Sequence, residues 1–478
     1  MWLFDLFNFW GRNKHLYGSA TFLKGRAKRK LLNTQNSGLV IDGEKRVTEK
    51  NSFKHLCLIA PTGSGKTTGY IIPNILNLTS SAVVTDPSGE IYKKTSGYLE
   101  SQSFKIKVLN IRDVQSSLKY NPLFRANDFT EIKKVSDVLI SSAFPSSSGE
   151  TVFWNDGAKG ILNVLIRCLK NEPQKFQNLH NLRFLLNSFG SSGKNLENFI
   201  AKNTFEDEAT LNEWKGIISN DEKVLQGYLA TAKTSLDKFS DPNLCELSSE
   251  ETLNFESLRN EKTIIYIIVP EHEIKYYSFI LTLLYTQIFS FCMELPKANE
   301  NYLPIYFLLD EFGNLGALPN FSNLITTLRK RKVSCSLVLQ DQEQMTNVYG
   351  KSEASTILNG GCANRIYFSG LSQNTCEELE RILGKYTVSF MEESFHTLGT
   401  VTDKAKDRQI GRSLLTADEI RTMKDNQAIF IHSNLRPVML NVKPFYQNQG
   451  LLKKVNIQIP NDKQSAYDEN KVLEFLQL

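Results

Sequence analysis

The densest chemistry in the chain lies at residues 60–67, which read APTGSGKT. Residues 60–67 fit the G-x-x-x-x-G-K-[ST] phosphate-binding pattern with Ala60 in place of its first glycine, which makes Pro61, Thr62, Gly63, Ser64, Gly65, Lys66, Thr67 and the adjoining Thr68 the candidate nucleotide-binding residues. Backbone N–H groups converge on a triphosphate only where residues such as Gly63 and Gly65 permit close approach and unusual dihedrals. Lys66 is placed to reach the β and γ phosphates and Thr67 to give a hydroxyl to Mg²⁺, while the helix that starts here turns its positive end to the anion.

A second landmark is IYFLLDE at 305–311, five apolar residues that end in two carboxylates. A buried strand of this kind delivers Asp310 and Glu311 to its carboxyl end, where ligand sites of α/β sheets collect. Asp310 would hold Mg²⁺ through its water shell. Glu311 would orient and polarise the attacking water, because hydrolysis needs a base that the metal has not consumed. The apolar run 335–339 is expected to be the final strand, and it ends in Gln340. That residue either contacts the γ-phosphate or its water, or is simply a polar strand end. Together these features predict hydrolysis of ATP with Mg²⁺; no N-K-x-D guanine-reading motif is found.

The elements that must position these residues are legible around them. LCLI at 56–59 reads as a buried parallel strand before the loop, and Ile71, Ile72, Ile75 and Leu76 mark the helix after it. SAVVT at 81–85 reads as a second strand, running into Asp86-Pro87-Ser88-Gly89-Glu90. Pro87 forces Asp86 out of the helical region, so Asp86 sits near the nucleotide or caps the next helix through Tyr92 and Tyr98. Residues 104–109 and 263–269 are further strand candidates. Between them, helical patterns at 156–168, 182–189 and 222–239 predict an inserted all-helical domain at 171–258. The flanking stretches 45–170 and 259–478 then form one discontinuous nucleotide-binding domain, preceded by a basic segment, 1–44.

Length and composition agree with a globular chain: 478 residues, roughly three domain lengths, with 41% hydrophobic content. The net charge of +5 is unevenly placed, since residues 1–54 hold 11 Lys/Arg and 4 Asp/Glu while the rest hold 45 and 47. Lys24, Arg26, Lys28, Arg29 and Lys30 are the densest part, suited to anionic lipid or nucleic acid, or simply to water. The first ten residues, MWLFDLFNFW, are too short to span a bilayer and suit an interfacial anchor or packing against a partner. No cleavable secretory signal is visible. The apolar stretch 277–293 is interrupted by Thr282, Tyr285, Thr286, Gln287 and Ser290, which favours a core helix over a membrane span. Seven Cys without a C-x-x-C spacing and six His without ligand pairing predict a reducing cytoplasm and no structural metal.

With these motifs in place the chain resembles the type IV secretion coupling proteins, the TraG/TraD-like ATPases of conjugation, related to FtsK-type and RecA-like hexameric motors. The likeness runs through Gly18-Ser19-Ala20, the phosphate loop with Pro73 in its helix, Asp86-Pro87-Ser88-Gly89-Glu90, Tyr120-Asn121-Pro122 and Phe153-Trp154. It continues through Leu309-Asp310-Glu311-Phe312 with Leu315 and Leu318, Gln340 with Gln344, Tyr349-Gly350, 414–420 (LLTADEI) and Arg436-Pro437.

The resemblance implies an α/β fold: a RecA-like P-loop NTPase domain with a mainly parallel sheet and an inserted all-helical domain. Six copies would form a ring with ATP at the subunit interfaces, on the cytoplasmic face of the bacterial inner membrane. It further implies a trans-acting arginine eleven residues before the strand-end Gln, which is Arg329; should Arg329 not act in trans, Arg331 and Arg365 are the next candidates. The implied partners are single-stranded DNA with a relaxase and the components of a type IV secretion channel. Members usually begin with two membrane-spanning helices, so attachment through the aromatic segment, a membrane partner or a short soluble variant is expected instead. Two functions remain open at this point: a DNA-driving ring ATPase, and an ATP-dependent docking receptor for secreted proteins. Glu311 and Gln340 favour the motor.

Overall fold

The computed structural model describes residues 15–145, 149–188, 193–294, 302–392, 406–458 and 473–477. The aromatic stretch at 1–10 lies outside them. Among the described residues the strands are β1 (Leu56–Ile59), β2 (Ser81–Asp86), β3 (Lys105–Asn110), β4 (Thr263–Ile268), β5 (Ile305–Leu309) and β6 (Val333–Leu339), then β7 (Asn364–Phe368), β8 (Lys385–Glu392), β9 (Lys406–Ser413), β10 (Gln427–His432) and β11 (Val438–Asn441). The chain divides into two compact units, Met1–Asn77 with Ser336–Leu452, and Leu78–Cys335 with Lys453–Leu478.

In the first unit β1 is buried throughout and lies between β6 and β7, parallel to both. This is why its sequence is a continuous apolar run rather than an alternating one: both faces and both edges are covered. β10 pairs antiparallel with β7, and β11 antiparallel with β10. Residues 335–339 are therefore not the final strand. The later ones escape a hydrophobic scan because polar residues sit at their ends: Asn364 opens β7 and His432 closes β10, and their side chains meet at 2.7 Å. Asn364 Nδ2 also donates to the His55 carbonyl, so both buried polar groups hold the strand ends together.

β8 and β9 form a separate antiparallel hairpin. Residues 18–20 lie along it: Thr387 N–H donates to the Gly18 carbonyl (3.1 Å) and Ala20 N–H to that of Lys385 (3.0 Å). A Cβ at Gly18 would stand 2.2 Å from the Lys385 oxygen, on a backbone with φ of +140°, so only glycine fits.

The second unit holds four parallel strands in the order β5-β2-β4-β3. Between β3 and β4 every described regular element is helical, including Glu150–Lys170, Leu179–Ser188, Glu208–Ile218 and Glu222–Ser235. Glu150–Lys170 crosses Glu222–Ser235 closely, because Gly157 faces the Tyr228 ring and Gly227 the Trp154 ring; a Cβ at either would lie 2.1–2.4 Å from that ring.

The helix Ile274–Met293 belongs to this unit's core, with fourteen of its twenty residues buried. With the preceding turn it is the one helix among the described residues long and apolar enough to cross a membrane. Two of its buried polar side chains have protein partners: Gln287 accepts from the Tyr120 hydroxyl at 2.7 Å and donates to the Pro122 carbonyl, and Tyr285 meets Thr85 at 2.6 Å. All seven cysteines are buried and unbridged; burial pushes the Cys57 thiol up to about 12.

Candidate active site

β1 delivers the chain to the phosphate loop, and Ala60 N–H donates to Leu339 O (2.9 Å), extending the β1–β6 pairing by one bond. The loop then turns through left-handed residues at Gly63 (φ +79°) and Gly65 (φ +85°), whereas Lys66 is already helical at φ −51°. That change of sign is the backbone arrangement that turns successive N–H groups toward one point. Nothing lies within 4 Å of a Cβ position at Gly63, so the glycine is required by its dihedral and the space before it is open. The turn is braced from within. Ser64 Oγ donates to Pro61 O (2.6 Å), Thr68 Oγ1 to Gly65 O (3.2 Å) and Gly69 N–H to the same carbonyl (2.7 Å). Pro61 and Ser64–Thr68 are half-buried, and Thr62 and Gly63 exposed. An open cradle of this kind with one lysine and one threonine at its helix start fits a triphosphate and a hard cation.

The helix that follows is unusual. Thr67–Ile71 is a π-helical turn, with Ile72 N–H donating to Thr67 O, and an α-turn Ile72–Ile75 continues it. Pro73 explains this, since it has no N–H for the Gly69 carbonyl and its ring would strike that carbonyl in a regular α-helix. A wider turn before the proline relieves the clash. Two buried polar residues then fix the helix. Tyr70 Oη and Ser336 Oγ are 2.8 Å apart across to β6, and Asn74 clasps Val40 by both backbone groups, accepting from its N–H (2.8 Å) and donating to its carbonyl (2.9 Å).

Gln340 follows the last residue of β6, which pairs with Ile59. The structure therefore brings Gln340 to the end of the strand beside the phosphate loop, within the same unit. Gln344 Oε1 accepts from Gln340 N–H (3.0 Å) and from Asp341 N–H (3.4 Å), which fixes the turn.

Asp310, Glu311 and Arg329 belong to the second unit. Thr85 pairs with Leu309, so Asp86 and Asp310 leave the carboxyl ends of neighbouring strands. Asp86 is fully buried and accepts from Tyr92 N–H at 2.8 Å, so its carboxylate ties the first turn of helix Glu90–Ser101 while Gly89 holds the N-cap position. Burial is the main influence on it and raises its pKa despite that bond. Tyr98 plays no part in the cap; its ring packs under Lys454 at 4.5 Å.

Asp310 and Glu311 are each 4% exposed, and Glu311 has a left-handed backbone, φ +55°. A non-glycine residue there costs of order 1–3 kcal/mol and is held only where its surroundings insist. Here they do. Asp310 Oδ1 accepts from Glu311 N–H (3.1 Å), Asn314 N–H closes on Glu311 O (2.9 Å), and Asn314 Nδ2 approaches Glu311 Oε2 at 3.4 Å. The next residue, Phe312, is anchored against Phe321 (centroids 5.2 Å), which stacks on Phe289 of the core helix.

The arginines differ. Arg329 follows helix Phe321–Leu328 and is exposed. Arg331 Nε donates to the Met293 carbonyl at the end of the core helix (3.1 Å), and Arg365 Nη1 to Asn359 Oδ1 (2.9 Å). The positioning roles of Asn74, Tyr70 and Asn314 were not foreseen. Polar residues inside apolar helical stretches were the available signal for Asn74 and Tyr70, and the three-residue spacing from Glu311 for Asn314.

The sequence pattern described as Type IV secretory system Conjugative DNA transfer matches residues 14–471. Among individual proteins, the chain is similar to Protein VirD4 of Rhizobium radiobacter, 22% identical over 408 residues, covering 83% of this chain and 58% of that protein. It is also similar to the conjugal transfer protein TraG of Escherichia coli, 23% identical over 415 residues, covering 80% of this chain and 64% of TraG. The chain thus spans about three fifths of the length of these relatives. The fold matches that of the bacterial conjugative coupling protein TrwBΔN70 with a TM-score of 0.68 at 17% identity, over 91% of this chain and 96% of that one. TrwB has also been solved with the non-hydrolysable ATP analogue ADPNP (TM-score 0.67, 15% identity, 90% and 97% covered) and with ADP and Mg²⁺ (0.63, 15%, 90% and 96%).

Proposed function

Since the chain belongs to the type IV secretory system conjugative DNA transfer family, we propose that it is an ATP-hydrolysing coupling protein that links a DNA substrate, with its relaxase, to a type IV secretion channel. The observation that carries this reading is the phosphate loop itself: left-handed Gly63 and Gly65, a helical Lys66 and an open cradle on a strand flanked by parallel neighbours. The nucleotide complexes of TrwB support ATP and Mg²⁺ as its ligands.

In this reading Lys66 draws charge from the β and γ phosphates, and Gln340 senses the γ-phosphate or its water. Thr67 and Asp310 would hold Mg²⁺, which would neutralise charge developing on the phosphate oxygens. Glu311, not spent on the metal, takes up the proton of the attacking water. Arg329 of a neighbouring subunit completes the site in a ring of six. Residues 171–258 act as the inserted helical domain, 45–170 and 259–478 as the nucleotide domain, and 1–44 as a basic segment at the inner-membrane side.

The test is the ATPase rate of purified protein with and without single-stranded DNA. A rise with DNA supports a translocating motor. Steady hydrolysis that DNA does not alter would favour a docking receptor, and the absence of nucleotide binding would sink both.

A further inference from the structure

The last described residues of the chain, 473–477, lie against the helix Leu179–Ser188 of their own unit. Nothing about this contact follows from nucleotide chemistry. Asn181 is fully buried and grips the segment by its backbone alone: its Oδ1 accepts from Leu476 N–H (2.9 Å) and its Nδ2 donates to Glu474 O (3.1 Å). His180 Nε2 lies 3.3 Å from the same carbonyl. One amide that satisfies the C=O of residue i and the N–H of residue i+2 recognises extended main chain, whatever side chains it bears.

The grip is prepared in advance. Asn178 precedes the helix, and its Oδ1 accepts from both the Asn181 backbone (3.1 Å) and the Asn181 amide (2.9 Å), which fixes which way that amide faces. Three side chains of the segment then add selectivity. Leu476 is buried, Phe475 packs edge-on to His180 and tilted to Phe184 at 5.5 and 5.7 Å between centroids, and Glu474 pairs with Lys175. Phe475 nonetheless stays about half exposed. The contact is therefore a short peptide held by a polar clamp, a pocketed leucine and one charge, rather than an element of the core.

We propose that this cleft is a peptide-recognition site, occupied in the resting chain by its own residues 473–477. It takes an extended polypeptide with the same acidic–aromatic–aliphatic order, which enters by displacing the tail. A segment of the same chain competes at an effective concentration of order mM, so a free peptide is excluded until the tail is released or outcompeted.

The test uses the full chain and a fluorescent hexapeptide, LEFLQL, that copies residues 473–478. Leu476→Asp should release the tail, with Leu476→Ala as a milder second variant. The released chain is expected to bind the peptide at least about tenfold more tightly than the parent, reflecting loss of the tethered competitor. Adding Asn181→Ala should remove that gain, and a scrambled peptide should not bind. Equal binding to parent and released chains, or no binding to either released variant with unchanged circular dichroism, would overturn the proposal. Both outcomes are read without ATP, so they stand apart from the nucleotide reading.

Discussion

Asp86 and Asp310 leave the carboxyl ends of adjacent parallel strands, yet their carboxylates take different backbone partners. The Asp86 carboxylate is taken up by the Tyr92 N–H of its own helix, whereas Asp310 receives the N–H of Glu311 at the strand's end. Asp86→Ala is expected to lower stability by about 1–2 kcal/mol, the worth of a buried cap, and to spare the hydrolytic step. Asp310→Asn should do the reverse, leaving the melting temperature near the parent's while hydrolysis collapses. Paired denaturation and ATPase measurements decide it; a stable, inactive Asp86 variant would assign that residue to the site.

Lys66→Ala tests the phosphate loop. The lysine is half-buried at the helix start, and its charge has no place in the core. The variant should keep its circular dichroism and lose at least about 10²-fold in turnover, the scale of removing one charge-stabilising donor. Normal turnover would remove residues 60–67 from the active site.

Glu311 combines a strained backbone with the proposed role of base, which gives a two-way prediction. Glu311→Gln keeps shape and the left-handed backbone, so it should bind ATP, trap it and leave stability nearly unchanged. Glu311→Gly should also abolish hydrolysis, but relief of the φ +55° backbone offsets the lost side-chain contacts and should raise stability by about 1 kcal/mol over Gln. A melting temperature lower for Gly than for Gln would mean that the carboxyl contacts outweigh the strain.

Glu251 supplies a pH signature away from the chemistry. Its carboxylate accepts from the Asn121 N–H (2.9 Å), and burial raises its pKa to about 7. The folded state thus holds this proton more tightly than the unfolded one. Its contribution is fully present below the unfolded carboxylate range and fades as pH rises through about 7. Relative to Glu251→Gln, the parent should lose about 2–3 kcal/mol of stability between pH 5 and 8. A difference that stays flat across that range would show that Arg125, 3.9 Å away, already compensates the charge.

The strands that carry the proposed site were legible because each is a short, mostly apolar run followed by its candidate residue: β1 before the loop, β5 before Asp310, and β6, apolar but for Ser334 and Ser336, before Gln340. The strands β7, β10 and β11 were not. Asn364 and His432 look like loop residues until each is seen to satisfy the other across two strands, a pairing no local window contains. The π-turn at Thr67–Ile71 was half-legible, since Pro73 announces an interrupted helix but not on which side it yields. Asp86 shows a sequence signal that fits two roles, of which the Tyr92 N–H bond displays the helix-tying one.

Arg329 carries the riskiest prediction. The candidate arginines differ in their surroundings: Arg331 donates to the Met293 carbonyl and Arg365 to Asn359, while Arg329 is exposed at the end of its helix. A planar guanidinium held toward a neighbouring subunit is suited to charge on a transferring phosphoryl group. Arginine fingers contribute roughly 10³ to 10⁵ in rate, so Arg329→Ala should nearly silence hydrolysis while sparing ATP affinity in the isolated subunit. Arg331→Ala should instead lower stability by about 1 kcal/mol, the value of one hydrogen bond to a carbonyl. Mixing decides whether the arginine acts in trans. Combining Arg329→Ala with Lys66→Ala subunits should restore part of the activity, because some interfaces then pair an intact loop with an intact arginine. If the mixture stays inactive although both variants co-assemble, Arg329 serves its own subunit, and the trans role passes to Arg331 or Arg365 only at the cost of breaking the contacts they now make.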